Sequence, residues 1–207
     1  MVDQKRLTDI RNWAVDLDWG VRENAAGAIK EINDRQFAEY LPVWQGWVCD
    51  PNPNIRRAVE VGLLRIPARH YADAFDLLAL LLVDADPYVR KNCGPFALSA
   101  VAMRNPVDAL ARFARLIESE DANLRWNIAM CLGVFFGTRF PRQSINLLHQ
   151  LSFDRRRFVW RAAVSSLVKL LRRYPQYREE VLAWQDLPDV LAVLKKYVQS
   201  EETEGVE

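Results

Sequence analysis

Apolar residues recur four positions apart in several stretches of this chain, as in Ile55, Val59 and Leu63. This spacing follows the period of an α-helix and not the two-residue period of a strand. A longer pattern also returns, in which an acid, or once a serine, is followed after a few residues by an aliphatic residue and an arginine. This arginine is Arg22, Arg56, Arg90 and Arg125, and the corresponding residue of the fifth repeat is Trp160. The steps between these positions are 34, 34, 35 and 35 residues. The two patterns predict an all-α fold, an α-solenoid of about five two-helix repeats with a C-terminal capping helix.

Helix start signals locate the second helix of each repeat. Pro53 and Pro87 suit the first helical position, where a missing N–H costs nothing. The side chains that precede the second helices can accept hydrogen bonds from a first helical turn, and they belong to Asp18, Asn52, Asp86 and Asp121. We expect second helices to begin near residues 19, 53, 87, 122 and 157, first helices at about 4–15, 37–49, 74–83, 107–118 and 143–152, and a last helix at about 178–198. The prediction is one repeat domain over residues 1–200, followed by a disordered acidic tail at 201–207.

Composition narrows the class of function. Half of the 207 residues are hydrophobic, 27% are charged and the formal net charge is +1, which is typical of a soluble chain with a core to bury. No signal peptide or membrane-length apolar run is visible. The three cysteines have no metal-ligand spacing, and neither histidine has a serine or cysteine partner nearby in sequence. We therefore expect a cytoplasmic protein without metal, cofactor, membrane contact or nucleophilic catalysis.

Charge is divided unevenly between the two sets of helices. The second-helix segments hold 15 Lys and Arg against three Asp and Glu, although the whole chain carries only +1. These segments are residues 20–33, 53–66, 87–104, 122–137 and 156–173. In curved helical arrays this layer usually lines the concave side, so the charge predicts a basic surface for a polyanion, chiefly double-stranded DNA. A groove for an acidic protein partner is the alternative, because charge alone does not separate the two.

The repeated acids and arginines have a structural explanation. An acid at the turn between helices and a base early in the second helix can bond the backbone and the neighbouring repeat. We assign this role to Asp16, Asp50, Asp84, Arg22, Arg56, Arg90 and Arg125. They are therefore excluded from the candidate binding residues.

Seven tryptophans are a second unusual feature of the chain. Trp19, Trp126 and Trp160 lie next to or near basic residues, where an indole can stack on a base or hold a cation against its ring. The other interpretation is packing between helix layers, which we expect for the tryptophans of the first helices. The candidate nucleic-acid-binding residues are Lys91, Trp126, Arg155, Arg157, Trp160 and Arg161.

Three segments carry a resemblance to a known family. They are Asp-Trp-Gly-Val-Arg-Glu-Asn-Ala-Ala at 18–26, Asn-Pro-Asn-Ile-Arg-Arg-Ala-Val at 52–59 and Asp-Pro-Tyr-Val-Arg-Lys-Asn-Cys-Gly-Pro-Phe-Ala at 86–97. Over most of residues 10–175 the chain resembles a shortened and divergent member of the DNA alkylation repair superfamily. The AlkD-type members of that superfamily are HEAT-like solenoids. The resemblance implies a glycosylase that hydrolyses the glycosidic bonds of N3- and N7-alkylated purines in duplex DNA.

The resemblance also implies a site. The family's Trp falls on Trp19, its acid on Glu23 and its Arg on Arg57. Glu23 would stabilise oxocarbenium character at C1′, Trp19 would contact the sugar, and Arg57 would clamp a phosphate. The other interpretation of Glu23, Arg57 and Lys91 is a ladder of surface ion pairs between repeats, worth about 0–1 kcal/mol per pair. Catalysis is thus left open, and the alternative function is a non-catalytic HEAT-repeat scaffold for protein–protein interaction.

The substitution Glu23→Gln tests the catalytic hypothesis. If the hypothesis holds, the native protein releases free base from duplex DNA carrying 7-methylguanine, and the variant does not, because it lacks the carboxylate charge. Free base would be measured at enzyme excess. Equal release by both proteins would remove Glu23 from the chemistry, and background depurination alone would leave a non-enzymatic solenoid.

Overall fold

The computed structural model describes residues 2–184 and 188–204, and within these ranges the chain is helical and contains no strand. The predicted all-α solenoid is confirmed. Short 3-10 turns lie at Ala68–His70 and Pro175–Tyr177, and a π-helical stretch lies at Cys93–Leu98. The helices are α1 (Gln4–Ala14), α2 (Trp19–Trp47), α3 (Pro53–Gly62), α4 (Tyr71–Leu82), α5 (Pro87–Asn92), α6 (Ser99–Ala102), α7 (Pro106–Leu116), α8 (Ala122–Leu132), α9 (Phe135–Arg139), α10 (Pro141–Leu151), α11 (Arg157–Arg173), α12 (Arg178–Leu182) and α13 (Pro188–Glu204).

The second helix of each repeat begins where its start signals predict. These helices are α2, α3, α5, α8 and α11, which start at residues 19, 53, 87, 122 and 157. Each predicted cap accepts a backbone N–H two residues on, so the cap side chain satisfies a donor that the helix itself leaves free. The distances are 2.6 Å at Asp18, 2.9 Å at Asn52, 2.8 Å at Asp86 and 2.7 Å at Asp121.

Two helix boundaries differ from the prediction. The first helix expected at 37–49 is continuous with α2 and is marked only by a kink at Gln36, because no glycine or proline lies between residues 28 and 41 to end the helix. The helix expected at 178–198 is two helices, α12 and α13, and Pro188 begins the second. α13 continues through Glu204, so it includes four residues of the predicted acidic tail. Residues 185–187 and 205–207 lie outside the described residues.

The chain forms two compact units, residues 1–109 and 110–207. In the first unit, α2 packs on α1 and α3, and Phe37, Trp44 and Phe75 are fully buried. In the second unit, α11 packs on α8 and α10, and Phe113 and Phe136 stack edge to face with ring centroids 5.4 Å apart. The expectation of a single domain over residues 1–200 stays a prediction.

The repeated arginine links each of the first four second helices to turn carbonyls, which confirms its structural assignment. Arg56 shows the full set of bonds. Its Nη1 donates to the carbonyls of Asp50 (2.7 Å) and Pro51 (3.2 Å), while Nε and Nη2 donate to the Asp84 carboxylate of the next repeat at 2.6 and 2.9 Å. Burial raises the pKa of Asp84, but the hydrogen bonds from Arg56 and the backbone outweigh burial and lower this pKa below its ordinary value.

The same arrangement recurs along the chain with small changes. In the second unit, Arg125 donates to the Ser119 carbonyl and to the Asp154 carboxylate. Arg22 and Arg90 each donate to two carbonyls of the turn that precedes their own helix. We call these arginines, with the turn acids they bind, the arginine ladder. In the fifth repeat the ladder position is Trp160 and contributes no guanidinium.

Arg56→Ala is expected to lower the free energy of unfolding by about 3–5 kcal/mol, because it leaves a buried carboxylate without its partner. The side chain of Asp84 is only 7% exposed. The matched control is Arg65→Ala, which breaks a 3.3 Å pair with Asp34 in which both side chains are well exposed. Its expected cost is about 0–1 kcal/mol. Urea unfolding followed by circular dichroism measures both, and similar losses in the two variants would contradict the structural role of the ladder.

Candidate functional site

A basic and apolar groove lies in the second unit, between α11 and α13. Its cavity volume is about 510 Å³, and the lining residues whose side chains the structure describes are four cations, two aromatic rings, three valines and one serine, with no acid among them. We call it the α11–α13 groove. It is lined by Arg157, Trp160, Arg161, Val164, Ser165, Val168, Lys169, Arg172, Val193 and Tyr197.

The periodicity of α11 places these side chains at the groove. Val159, Ala163 and Leu170 are buried, and α11 packs against α8 and α10. Ser166 fixes the position of α11 by donating to the carbonyl of Ala129 in α8 at 2.8 Å. The opposite face of α11 is left for the cations of the groove, since residues half a turn away point away from the core.

The cations of α11 are more available than those of the first unit. Arg157, Arg161 and Lys169 are exposed, and they have no ion pair within the part of the chain that the structure describes. The guanidinium of Arg172 lies 5.8 Å from the ring centroid of Tyr197. In α3, by contrast, Arg56 and Arg57 pair with Asp84 and Glu60. The predicted excess of positive charge on second helices is therefore open to a partner mainly on α11.

Half of the predicted nucleic-acid-binding residues come together in this groove. Arg157, Trp160 and Arg161 line it, whereas Arg155 is exposed in the turn before α11, Trp126 is half-buried on α8, and Lys91 is exposed on α5 in the first unit. Sequence reasoning missed the remaining lining residues. On α11 the signal was present, because Val164, Ser165, Val168 and Lys169 continue the four-residue spacing of Trp160 and Arg161. No sequence signal indicated the wall that Val193 and Tyr197 of α13 supply.

The predicted catalytic residues occupy a different setting in the first unit. Trp19 is the first residue of α2 and is 63% exposed, and the half-buried Glu23 follows one helical turn later. The side chain of Arg57 is only 18% exposed, and its Nε lies 3.2 Å from Oε2 of Glu60. The Arg57 guanidinium also lies 5.8 Å from the ring centroid of Tyr88. Arg57 thus forms its ion pair within its own helix.

Glu60 is a buried acid that sequence reasoning missed. It is 1% exposed, and Oε2 of Glu60 and Nε and Nη1 of Arg57 are buried without a hydrogen-bonding partner among the described residues. Burial raises the pKa of Glu60 to about 7, Arg57 opposes this, and the carboxylate of Glu23 adds to it. Burial also raises the pKa of the nearby Cys93 thiol well above its ordinary value. The only sequence signal was an acid inside the apolar run Ala58-Val59-Glu60-Val61.

The described residues contain no group of three His, Cys, Asp or Glu side chains that could hold a metal ion. In the same ranges, the helices are too short or too polar to span a membrane.

Comparisons with known proteins support a helical-repeat class. A family model described as HEAT repeats matches residues 76–168. The crystal structure of the MAST/Orbit N-terminal domain is similar over 94% of this chain and 96% of that chain, with a TM-score of 0.65 and 15% sequence identity. A similarity at this identity concerns the fold alone. A comparison with curated proteins finds no match. The chain is therefore an all-α solenoid of HEAT-like repeats.

Glu60→Gln is expected to change how stability depends on pH. The pKa of Glu60 is about 7 in the folded protein against an ordinary 4.5, so between these values the folded state holds a proton that the unfolded chain has lost. The contribution of Glu60 to the free energy of unfolding therefore falls as pH rises through this window, by about 3 kcal/mol in total. Glutamine stays neutral, so the variant should gain stability relative to the native protein from about pH 5 to about pH 8.

Urea unfolding at a series of pH values measures this difference. The control is Glu31→Gln, which removes an exposed glutamate paired with Arg6 at 3.0 Å and so measures the effect of losing a surface carboxylate. Parallel pH profiles for the native and Glu60→Gln proteins would show that Glu60 keeps an ordinary titration in the folded state.

Proposed function

We propose that this protein is a non-catalytic HEAT-repeat scaffold, and that its α11–α13 groove binds an acidic, partly apolar segment of a partner protein. The observation that carries the proposal is the composition of the groove, in which a row of cations lies beside an apolar floor. Helical-repeat folds commonly present such surfaces to partners.

Electrostatics favour an acidic partner. The described side chains of the groove lining include four cations and no acid, while the whole chain has a net charge of only +1. The positive potential is therefore local, and it steers an acidic segment toward α11. Arg157, Arg161 and Lys169 are exposed, so they remain partly hydrated when paired. Charges of this kind contribute more to association rate and specificity than to raw affinity.

The apolar part of the lining favours protein over nucleic acid. Val164 is already buried, and on either side of it Trp160 and Val168 present one half-buried ring and one half-buried aliphatic side chain to the groove. A sugar–phosphate backbone would pair with the cations but leave these side chains in water. Leucine or phenylalanine from a protein would bury them, at about 25 cal/mol for each Å² of apolar surface. Buried aromatic anchors with cations around them are common at the centre of protein interfaces.

Duplex DNA is the second candidate partner, and the cations beside the Trp160 indole favour it. Lysine and arginine bind phosphates, which a duplex presents along both of its strands. Affinity for DNA would fall steeply with salt because phosphate contacts release counterions, whereas a partly apolar protein interface depends less on ionic strength.

Charge reversal tests the proposed function. Peptides are selected from a displayed random library on the native protein and counter-selected on Arg161→Glu/Lys169→Glu. The enriched peptides should combine Asp or Glu with large apolar residues. Synthesised peptides of this kind should bind the double variant at least about tenfold more weakly, because two attractive charges become repulsive. Fluorescence anisotropy measures the Kd of each complex.

The matched control is Arg115→Glu, which reverses an exposed arginine of α7 in the same unit, outside the groove lining. It should leave the Kd unchanged. If the library yields no peptide that binds the native protein more tightly than the double variant, the proposal is overturned. Salt-sensitive binding of duplex DNA, lost in the same double variant, would establish the second candidate instead.

A further inference from the structure

The face of α11 in the groove carries two parallel rows of side chains. Residues four apart on a helix lie one above the other, so each row forms a ridge along the helix. The two ridges are adjacent and differ in chemistry, because one is apolar and the other mainly basic. The apolar row is Trp160, Val164 and Val168, and the basic row is Arg157, Arg161, Ser165 and Lys169.

The rows extend over the length of a short helix. At 1.5 Å per residue, the basic row from Arg157 to Lys169 is about 18 Å long, and the lined face as a whole, which ends at Arg172 four residues after Val168, is about 22 Å long. A partner helix of about four turns would match this length. The cation–π contact between Arg172 and Tyr197, at 5.8 Å, lies at the far end of the rows from Arg157.

The opposite wall is also helical. Val193 and Tyr197 of α13 lie four residues apart and face the same cavity. Along each wall the lining side chains therefore recur about every 6 Å, which is the rise of four residues on a helix. A third helix can place a ridge of the same spacing between them, as helices do when they pack.

An extended segment fits this groove less well. Its backbone N–H and C=O groups would lie against Val168 and Val193, which offer no hydrogen bonds, and buried backbone groups without partners are costly. A helix satisfies these groups internally. Its charged and apolar side chains are then the only groups that the groove has to match.

Trp160 explains why the groove forms on this helix. It occupies the ladder position, where Arg56 and Arg125 extend to the turn acid of the following repeat. The tryptophan makes no such bond, and it lines the groove half-buried beside Arg161. The side chain that ties repeats together elsewhere is here replaced by an apolar anchor for a ligand.

We infer that the occupant of the α11–α13 groove is an amphipathic α-helix of a partner protein. Apolar side chains at every fourth residue of this helix contact Trp160 and Val168 of the apolar row, and a flanking row of Asp or Glu pairs with the basic row. The inference rests on the proposed function, because it specifies the shape of the partner segment.

Two synthetic peptides of identical composition test the inference. One is an alanine-based helix with leucine at every fourth position and glutamates flanking that stripe, and the other has the same residues permuted so that no stripe forms. Anisotropy with the native protein should give a Kd at least about tenfold lower for the striped peptide. Trp160→Ala should raise the Kd of the striped peptide by about tenfold or more, while Arg115→Glu should not change it.

A charge-swapped peptide keeps the test decisive if Trp160→Ala fails to fold. Lysine replaces glutamate in this peptide, which should bind Arg161→Glu/Lys169→Glu better than the native protein.

Equal binding of the striped and permuted peptides, both lost on charge reversal, would overturn helical recognition and leave the acidic-segment function standing. Failure of both peptides to bind, together with failure of the library selection, would overturn the function itself. Duplex DNA that competes with the striped peptide for the native protein would reassign the groove to nucleic acid.

Discussion

The ion pair between a second-helix arginine and the turn acid of the next repeat ties adjacent repeats together twice in the described chain, once in each unit, at Arg56–Asp84 and at Arg125–Asp154. One Arg56 guanidinium bonds two carbonyls of its own turn and both oxygens of Asp84. Because the acid also accepts the N–H of Asp86, the turn, the helix start and the neighbouring repeat are fixed together. Partly buried, multiply bonded pairs of this kind hold geometry better than surface pairs do.

The ladder also decides which charges remain for recognition. A guanidinium that bonds carbonyls and a carboxylate has few donors left, so the arginines of the ladder contribute little free positive potential. Arg161 and Lys169 of α11 lie outside the ladder and remain exposed. The positive charges of the second helices are therefore held in ion pairs in α3 and left exposed on α11, although the residue types are the same.

Local signals were sufficient to predict the repeat and its helix starts. An N-cap such as Asp18 acts within three residues of itself, and the pairing of Arg56 with Asp84 follows from a constant repeat length. The kink at Gln36, the burial of Glu60 and the wall formed by Tyr197 depend on packing between distant segments. No local pattern encodes such packing. For the candidate site, the α11 half was therefore predictable and the α13 half was not.

The pair formed by Arg57 and Glu60 constrains any phosphate-binding role for Arg57. To reach a phosphate in solvent, the guanidinium would have to leave a carboxylate that is almost completely buried. The Glu60 carboxylate would then either stay charged without a partner or take up a proton. Either change has a free-energy cost that does not arise when an exposed cation binds a phosphate. Arg161 faces no such cost, since its head group is already in water. Recognition of an anionic partner is therefore more readily performed by α11 than by α3.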